Sequence, residues 1–287
     1  MRKINTAIIS LILATILTGC ANKQPDEFSR ISAFRSGAGD NINGIRRTVL
    51  QETAGGLGAQ AGLAWRSRQL NQIIKDNGRT LDQIFNFNAM LLDNNVLPPV
   101  LVEGRNTLNL ANNETIRLSD HDYQIIFPAR FVTASPSWRD YLWLNYKKPE
   151  PPNTSLLPKN KEELKVWNKY LALGWNNGVQ QASEIFAANL SRLKRDFGGI
   201  VLYRKLYAQN IVSAPFVSQA DLGVTGDRNA IRINDRVLRI TAISELDPNS
   251  KHWKPVLTEE QYVTPSEQDV NKVESDLRLK HLLEKLK

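Results

Sequence analysis

The feature that most constrains the fold is an apolar pattern between Lys161 and about Ile211 that recurs every three or four residues. Its members, which share one helical face, are Leu164, Trp167, Leu171, Trp175, Val179, Ala182, Phe186, Leu190, Leu193 and Phe197. This spacing predicts a helical region over 161–211 whose apolar side packs against other elements. One unbroken helix would be about 75 Å long at about 1.5 Å per residue, more than a domain of this size spans. We therefore expect breaks at Gly174, Gly178 and Gly198-Gly199.

A second helical pattern covers about residues 45–94, which are rich in Ala, Leu, Arg and Gln. Small residues recur there at Ala54, Gly58 and Gly62, four positions apart. In a helix this spacing forms a smooth ridge, so we expect another backbone to approach it closely. Pro98-Pro99 follows and ends the helical region, because proline cannot continue a helix.

Residues 99–134 and 216–241 are predicted to form short strands, since apolar residues alternate there with polar ones. The expected turns, all made of Asn, Asp, Ser or Gly, are Asn112-Asn113, Ser119-Asp120, Gly226-Asp227 and Asn234-Asp235. The predicted fold class is therefore α+β, with two helical regions (about 45–94 and 161–211) packed with short antiparallel strands.

The N-terminus has the features of a lipoprotein signal peptide over residues 1–19. Arg2 and Lys3 precede an almost wholly apolar run, Ile4 to Leu17, which is too short to span a bilayer. The sequence Leu17-Thr18-Gly19-Cys20 follows, and Cys20 is the only cysteine of the chain. This order resembles a bacterial lipobox, in which the thiol takes a diacylglyceryl group and the new amine a further acyl chain such as palmitate. Two or more chains give stable membrane anchoring.

A lipidated Cys20 would be the first residue of the mature protein. The residue after it is Ala21 rather than Asp, the residue that retains Gram-negative lipoproteins at the inner membrane. We therefore expect an outer-membrane protein facing the periplasm. Residues 20–44 are polar and rich in Gly and Ser, which predicts a lipid-anchored tether with one helical turn near Glu27 to Phe34. An ordinary secretory leader and a transmembrane anchor are the alternatives.

The formal net charge of +8 raises the question of nucleic-acid binding. The basic residues are scattered, however, and no run of Lys or Arg exceeds two. We expect no direct contact with nucleic acid, and keep a DNA-contacting subunit as an alternative that requires basic residues gathered on one face.

The sequence carries no catalytic signature. Its histidines, His121, His252 and His281, have no metal-ligating neighbour three or four residues away, and no hydrolase nucleophile motif occurs. We therefore predict no enzyme activity, no metal and no cofactor. A lipid-anchored periplasmic enzyme is the alternative, and it would need a cleft that holds Asp or Glu near His121 or His252.

An aromatic belt, defined as Trp138, Tyr141, Trp143 and Tyr146, precedes a proline-rich segment. Three roles are open to it: core packing, docking of a protein partner, and stacking on nucleic acid. A leucine stripe at Leu279–Leu286 has helical spacing. We hypothesise that the belt and the stripe are exposed in the isolated protein and covered in a complex.

Several long segments resemble one known family. They are Glu52-Thr53 through Gly58-Ala59-Gln60-Ala61-Gly62-Leu63-Ala64-Trp65-Arg66, Asn95-Val96-Leu97-Pro98-Pro99-Val100 through Glu103-Gly104-Arg105-Asn106-Thr107-Leu108-Asn109-Leu110-Ala111, Trp138-Arg139-Asp140-Tyr141-Leu142-Trp143, Asp196-Phe197-Gly198-Gly199-Ile200-Val201-Leu202-Tyr203-Arg204-Lys205-Leu206, Asp221-Leu222-Gly223-Val224-Thr225-Gly226-Asp227 and Asp235-Arg236-Val237-Leu238-Arg239-Ile240-Thr241-Ala242. In this order they resemble the DotC family, lipoproteins of type IVB secretion systems and of related plasmid conjugation systems.

The resemblance implies a structural role without catalysis. Members of that family belong to the outer-membrane core complex, where they act with the lipoprotein DotD to place DotH at the outer membrane. We accordingly expect a DotD-like lipoprotein and a DotH-like subunit as partners, within a multi-subunit ring. The expected domain spans 45–246. The polar tail, 247–287 with a short C-terminal helix, follows no family pattern, and only Cys20 takes a role from the family.

Overall fold

The structure, a computed structural model, describes residues 26–32, 34, 43–112 and 114–255. The helices are α1 (Asp26–Ser32), α2 (Gly44–Asp76), α3 (Gly78–Ile84), α4 (Trp138–Leu142) and α5 (Lys161–Ala208). The strands are β1 (Val96–Leu97), β2 (Val100–Asn112), β3 (Thr115–Phe127), β4 (Arg130–Phe131), β5 (Phe216–Gly226) and β6 (Ile231–Ala242). Short 3-10 helices occupy Asn88–Met90, Asp93–Asn95, Thr154–Leu156 and Ser250–His252. The α+β fold is confirmed.

Several predictions lie outside the described residues: the signal peptide, Cys20 and the Leu279–Leu286 stripe. The chain divides into two compact units. The first is formed by Met1–Ser67 with Asn145–Ala182, and the second by Arg68–Leu144 with Ser183–Lys287.

Helix α5 is continuous over 48 residues, so the predicted breaks are wrong. Each glycine in a helix costs up to about 1 kcal/mol relative to alanine, too little to end a helix that packing supports. At Gly199 a Cβ would clash with Val100 and Leu101, so the missing side chain allows close packing inside the second unit. Gly198 has open space around it and remains helical.

In the first unit the small-residue ridge of α2 meets another helix, as the sequence predicts. A Cβ on Gly58 or Gly62 would collide with backbone atoms of α5, the carbonyl oxygens of Leu171 and Trp175 among them. The relation is mutual, because a Cβ on Gly174 would collide with the backbone of Gly55 in α2. The two helices thus touch through their backbones, and we call this contact the glycine seam.

The core of the first unit includes residues of both helices that meet at the glycine seam. Its buried residues are Phe28, Ile31, Leu50, Ala54, Leu57, Ala61, Leu157, Trp167, Leu171 and Trp175. Phe28 and Ile31 come from α1, which confirms the helical turn predicted near Glu27 to Phe34. The ring of Phe28 meets that of Trp175 edge to face, with centroids 5.5 Å apart.

An ion pair fixes the start of α5 in the first unit. The guanidinium of Arg46 donates to both carboxylate oxygens of Glu163, at 3.2 and 3.0 Å, and to the carbonyl oxygens of Ser155 and Leu157. The backbone N–H of Lys159 donates to the same carboxylate at 2.9 Å. Glu163 is 5% exposed. The hydrogen bonds from Arg46 are the main reason why the pKa of Glu163 lies below its ordinary value.

The second unit has two hydrophobic clusters. The larger contains Leu70, Ile74, Leu81, Phe85, Phe87, Leu97, Val100, Trp138, Leu142, Leu144, Phe186, Leu190, Leu193, Phe197 and Ile200. The smaller contains Leu101, Tyr203, Leu206 and Val212. Because Val100 and Leu101 belong one to each cluster, the beginning of β2 is held in the core.

The strands form antiparallel two-stranded sheets, β1 with β4, β2 with β3, and β5 with β6. The predicted antiparallel strands are confirmed, and those of the last two sheets run for 11 to 13 residues. The turn predicted at Ser119-Asp120 lies inside β3, where Ser119 pairs with Thr107. Polar residues are tolerated there because this part of the hairpin faces solvent.

The Asn234-Asp235 turn is also wrong, because β6 continues through it. Asn234 takes a positive φ of 57° and is an extra residue opposite the register shift at Gly223. It therefore forms a β-bulge, which uses the same left-handed backbone as a turn. The turns at Asn112 and at Gly226-Asp227 are confirmed by the strand ends.

Candidate functional site

The aromatic belt does not form one exposed surface. Trp138 is 2% exposed and belongs to the larger cluster of the second unit, so its predicted exposure is wrong. A capping box starts α4: Ser137 accepts from the N–H of Arg139, and Asp140 accepts from the N–H of Ser137. This cap turns the indole inward, where its Nε1 donates to Asp82 at 2.7 Å.

Arg139 is the exposed partner of the same carboxylate. Its Nη1 donates to Asp82 Oδ1 at 2.7 Å, and its guanidinium lies 4.1 Å from the centroid of the Trp138 ring. This hydrogen bond, with the one from Trp138, lowers the pKa of Asp82 below its ordinary value. The group stabilises the second unit and presents no free acid or base.

Tyr141 is half-buried. Its hydroxyl donates to Asp196 at 3.1 Å, and its ring stacks on Phe87 with centroids 6.0 Å apart. Burial, with the charge of Asp196, raises the pKa of Tyr141 to about 12. Trp143 and Tyr146 are 49% and 38% exposed, so only these two members of the belt offer large aromatic surface to a partner.

A larger apolar surface lies on the β2–β3 ribbon, defined as residues 100–127. Leu108 pairs with Leu118, and Leu110 pairs with Ile116, next to the turn. Residues two apart share one face of a strand, so the four side chains form one apolar patch. All four are more than half exposed. The start of the ribbon is buried while this end is solvated.

The β5–β6 ribbon, defined as residues 216–242, carries a second apolar patch. Val224 pairs with Ile233, and Ile231 lies two residues before Ile233 on the same face. These three side chains are about 70% exposed or more, and Leu222 is half exposed. Within residues 216–242, all of which the structure describes, no residue is buried.

The two ribbons differ in charge. On the β2–β3 ribbon Glu103 pairs with Arg105 and His121. Within the described ranges, its remaining carboxylates have no ion-pair partner; they are Glu114, Asp120 and Asp122. On the β5–β6 ribbon the carboxylates are used locally. Asp227 accepts from the backbone of Asn229 and Ala230, and Asp235 from the hydroxyl of Thr225.

The arginines of the β5–β6 ribbon are free by the same criterion. Arg228, Arg232, Arg236 and Arg239 form no ion pair with any residue that the structure describes. Within the described residues, the β2–β3 ribbon therefore presents three unpaired carboxylates and one unpaired guanidinium group, that of Arg117, whereas the β5–β6 ribbon presents four unpaired guanidinium groups. Neither patch was predicted from the sequence. The alternation of Leu108 and Leu110 with Ile116 and Leu118 about Asn112 is the signal that could have predicted the first.

The histidines of the alternative enzyme hypothesis each have a carboxylate partner. His121 Nδ1 lies 2.9 Å from Glu103 Oε1, and His252 Nδ1 lies 2.7 Å from Asp247 Oδ2. Both imidazoles are more than half exposed on the surface. No group of three or more His, Cys, Asp or Glu side chains that could hold a metal ion occurs among the described residues.

A cavity of about 430 Å³ lies in the second unit. Its lining includes Tyr203, Arg204 and Tyr207 with several aliphatic side chains. Arg204 Nη2 donates to the carbonyl oxygens of Met90 and Leu91, both at 3.1 Å. The guanidinium therefore has a structural role, and among the described lining residues there is no histidine, cysteine or serine.

Comparison with known proteins gives a family match. The family described as "Type IV secretory system, conjugal DNA-protein transfer" matches residues 44–255, from the first residue of α2 through both ribbons. Among curated proteins no relative matches the chain. In the part of the chain that the structure describes, no helix has the length and apolar character needed to cross a membrane.

Proposed function

The chain belongs to the T4SS_TraI family of type IV secretory systems, and on that premise we propose that it is a non-catalytic structural subunit of the outer-membrane part of such an apparatus. The family match supports a component of a type IV secretion or conjugation system. The finer proposal is a DotC-like lipoprotein that acts with a DotD-like lipoprotein to place a DotH-like subunit at the outer membrane.

The observation that carries the structural role is the pair of exposed apolar patches. An isolated two-stranded hairpin is marginally stable in water, and a long exposed hydrophobic strand is a hazard for aggregation. Both ribbons combine these features over 11 to 13 residues per strand. Such surfaces are typical of protein–protein contacts. A subunit that is always assembled can keep them, because neighbouring subunits cover them.

The alternatives have less support. Enzyme chemistry would need a water-shielded site, whereas both His–carboxylate pairs, His121–Glu103 and His252–Asp247, are at the surface. A DNA-contacting subunit is favoured by the family description and by the unpaired arginines of the β5–β6 ribbon. Asp221, Asp227 and Asp235 are interleaved with those arginines, however, which weakens attraction to phosphates. Binding of DNA by the purified protein at physiological salt would support that second function.

The anchored-subunit proposal is tested by Cys20→Ser. The variant cannot form the thioether, so we expect it to leave the outer membrane and substrate transfer to fall. Membrane fractionation and a transfer assay measure the two effects. Ala21→Ser is the matched control, because it changes the neighbouring residue and leaves the thiol in place.

A second variant separates anchoring from sorting. Ala21→Asp keeps the lipid site but introduces the residue that retains lipoproteins at the inner membrane. We expect the protein to move to the inner membrane and transfer to fall. If both Cys20→Ser and Ala21→Asp leave the location and the transfer unchanged, the protein is held in place by contacts with its partners and not by a lipid on Cys20.

A further inference from the structure

We propose that the β2–β3 ribbon of one copy packs against the β5–β6 ribbon of a second copy, so that copies of this chain associate head to tail. The inference rests on the proposed function, because it requires several copies in one assembly. It identifies the occupant of both apolar patches as a second copy of the same chain.

The apolar patches are matched in size and kind. The β2–β3 ribbon offers Leu108, Leu110, Ile116 and Leu118, and the β5–β6 ribbon offers Leu222, Val224, Ile231 and Ile233. Each set lies near the turn of its hairpin, and its side chains are at least half exposed. Sheets that pack face to face bury aliphatic side chains of this type between them.

The charges beside the patches are complementary. Glu114, Asp120 and Asp122 on the β2–β3 ribbon have no ion-pair partner within the described residues. On the β5–β6 ribbon the same is true of Arg228, in the turn, and of Arg236. Arg232 and Arg239 are also unpaired, but Arg232 lies on the face opposite Ile233 and Arg239 lies farther along the strand. Contact between unlike ribbons brings carboxylates to guanidinium groups, which is the arrangement that gives specificity at interfaces.

The same charges disfavour other occupants. Two β5–β6 ribbons would bring the arginines together, and like charges oppose pairing. A nucleic acid or an anionic lipid surface would attract the arginines, but the carboxylates of the β2–β3 ribbon would repel phosphate and leave that patch uncovered. A second copy covers both patches with one contact.

The geometry of the contact has a consequence for assembly. The two surfaces differ, so the contact is heterologous and generates a ring when its rotation closes. Four aliphatic side chains per ribbon cover less than the roughly 800 Å² per partner of a standard stable interface. One contact is therefore weak, and a closed ring, in which every copy makes two, gives it persistence.

Cysteine crosslinking in membranes of cells that carry the whole apparatus tests the proposal. Full-length copies with Leu110→Cys are coexpressed with copies carrying Ile233→Cys, and a short bismaleimide probe is added. We expect a crosslinked dimer of this chain. Copies that carry both substitutions should give a ladder of higher multimers.

The matched control uses the neighbouring residues, Asn109→Cys with Arg232→Cys. These side chains lie on the opposite faces of the same ribbons, so the dimer yield should fall about tenfold. Parental copies with Cys20 alone show the background. A dimer that forms as readily from the control pair would overturn the proposal, because crosslinking would then reflect crowding.

Two further outcomes would also overturn it. A dimer from Leu110→Cys copies alone would show a symmetric contact between like ribbons. A product that contains a different protein would assign the patch to another subunit. If the variants co-purify with the apparatus and reach the outer membrane without any crosslink, the self-contact is wrong and the proposed function stands. Absence of wild-type protein from the apparatus would contradict the proposed function itself.

Charge reversal tests the complementarity without any probe attached to the patches. Arg228→Glu with Arg236→Glu should lower recovery of multimers about tenfold, as should Asp120→Arg with Asp122→Arg. Copies that carry all four changes should recover multimers, because the unlike charges face each other again. Failure of this rescue, with thermal unfolding unchanged, would refute the charge pairing.

Discussion

The glycine seam and the two ribbons differ in whether their apolar side chains are buried or exposed. At the seam α2 and α5 approach until their backbones touch, and residues of both helices are fully buried. Along the ribbons, aliphatic side chains of similar size remain in solvent. The apolar surface of the first region is covered within the chain, whereas the apolar surface of the ribbons remains exposed to solvent. The proposed structural subunit would need both kinds of region: one that folds by itself and one whose apolar surface is covered in the assembly.

Apolar burial in the two regions contributes to two different free energies, that of folding and that of association. Burial of aliphatic surface stabilises by about 25 cal/mol per Å². At the seam this contribution already belongs to the folding of the isolated chain. At the ribbons it is available only on binding. Substitutions should therefore change the free energy of unfolding in one region and association in the other.

The largest effect on folding is expected from Glu163→Gln. The change leaves the partly exposed guanidinium of Arg46 without the buried carboxylate that it pairs with, and loss of this partner should cost about 3 kcal/mol of unfolding free energy at pH 7. Chemical denaturation measures it. The control is Glu162→Gln, whose exposed pair with Lys165 should contribute less than about 1 kcal/mol.

The contribution of Glu163 should also depend on pH. Its folded pKa is lowered, chiefly by hydrogen bonds from Arg46, so the unfolded chain binds more protons. The stabilisation is then present above the ordinary value of about 4.3 and is lost as pH falls through the lowered folded value. The difference in stability between wild type and Glu163→Gln should shrink in that range. A difference that does not change below pH 4 would contradict the assignment.

Two substitutions in α2 should change the free energy of unfolding by smaller amounts and in opposite directions. Gly58→Ala places a methyl group against the backbone of α5 and should destabilise by about 2 kcal/mol, because backbone cannot move aside like a side chain. Gly56→Ala, two residues earlier, faces open space and should stabilise by up to about 1 kcal/mol. Thermal unfolding of both variants checks this. Equal effects would show that the seam is not closely packed.

The smallest effect on folding is expected on the ribbons. Leu118→Ser and Ile233→Ser replace side chains that are 74% and 75% exposed, and each should change the unfolding free energy by less than about 0.5 kcal/mol. Both variants should nevertheless lower recovery of the protein in the assembled apparatus. Destabilisation by 2 kcal/mol or more would show instead that the patches pack within the monomer.

The helices were predictable because their signal is local and long. The periodicity from Leu164 to Phe197 predicts α5, and the spacing of Ala54, Gly58 and Gly62 predicts the seam. The continuity of α5 was missed, since a glycine within a helix has two meanings. Gly174 and Gly178 look like breaks, but they are the positions where a Cβ would strike α2. Only the partner helix distinguishes these possibilities.

The functional surfaces were less accessible from the sequence. The density of aromatic residues led to the hypothesis that Trp138 is exposed. Trp138 is instead the first residue of α4, directly after the capping-box residue Ser137, and it is buried. The apolar residues of the ribbons alternate with polar ones, as in any strand. This alternation shows which residues share a face, but it does not show whether another element covers that face. The exposure of Leu118 or Ile233 depends on what lies opposite, which is a property of the assembly.

Under the proposed function, helix α1 limits the distance between the folded chain and a lipid on Cys20. Phe28 and Ile31 fix it in the first core, and Lys148 pairs with Glu27 in the same unit. With lipid on Cys20, only about eight residues separate the anchor from Phe28, and such a chain reaches at most about 28 Å. The segment between Cys20 and Phe28 would then be a short linker to the membrane. It would confine the first unit to a thin layer next to the membrane, where the local concentration of neighbouring copies is high enough for weak contacts to form.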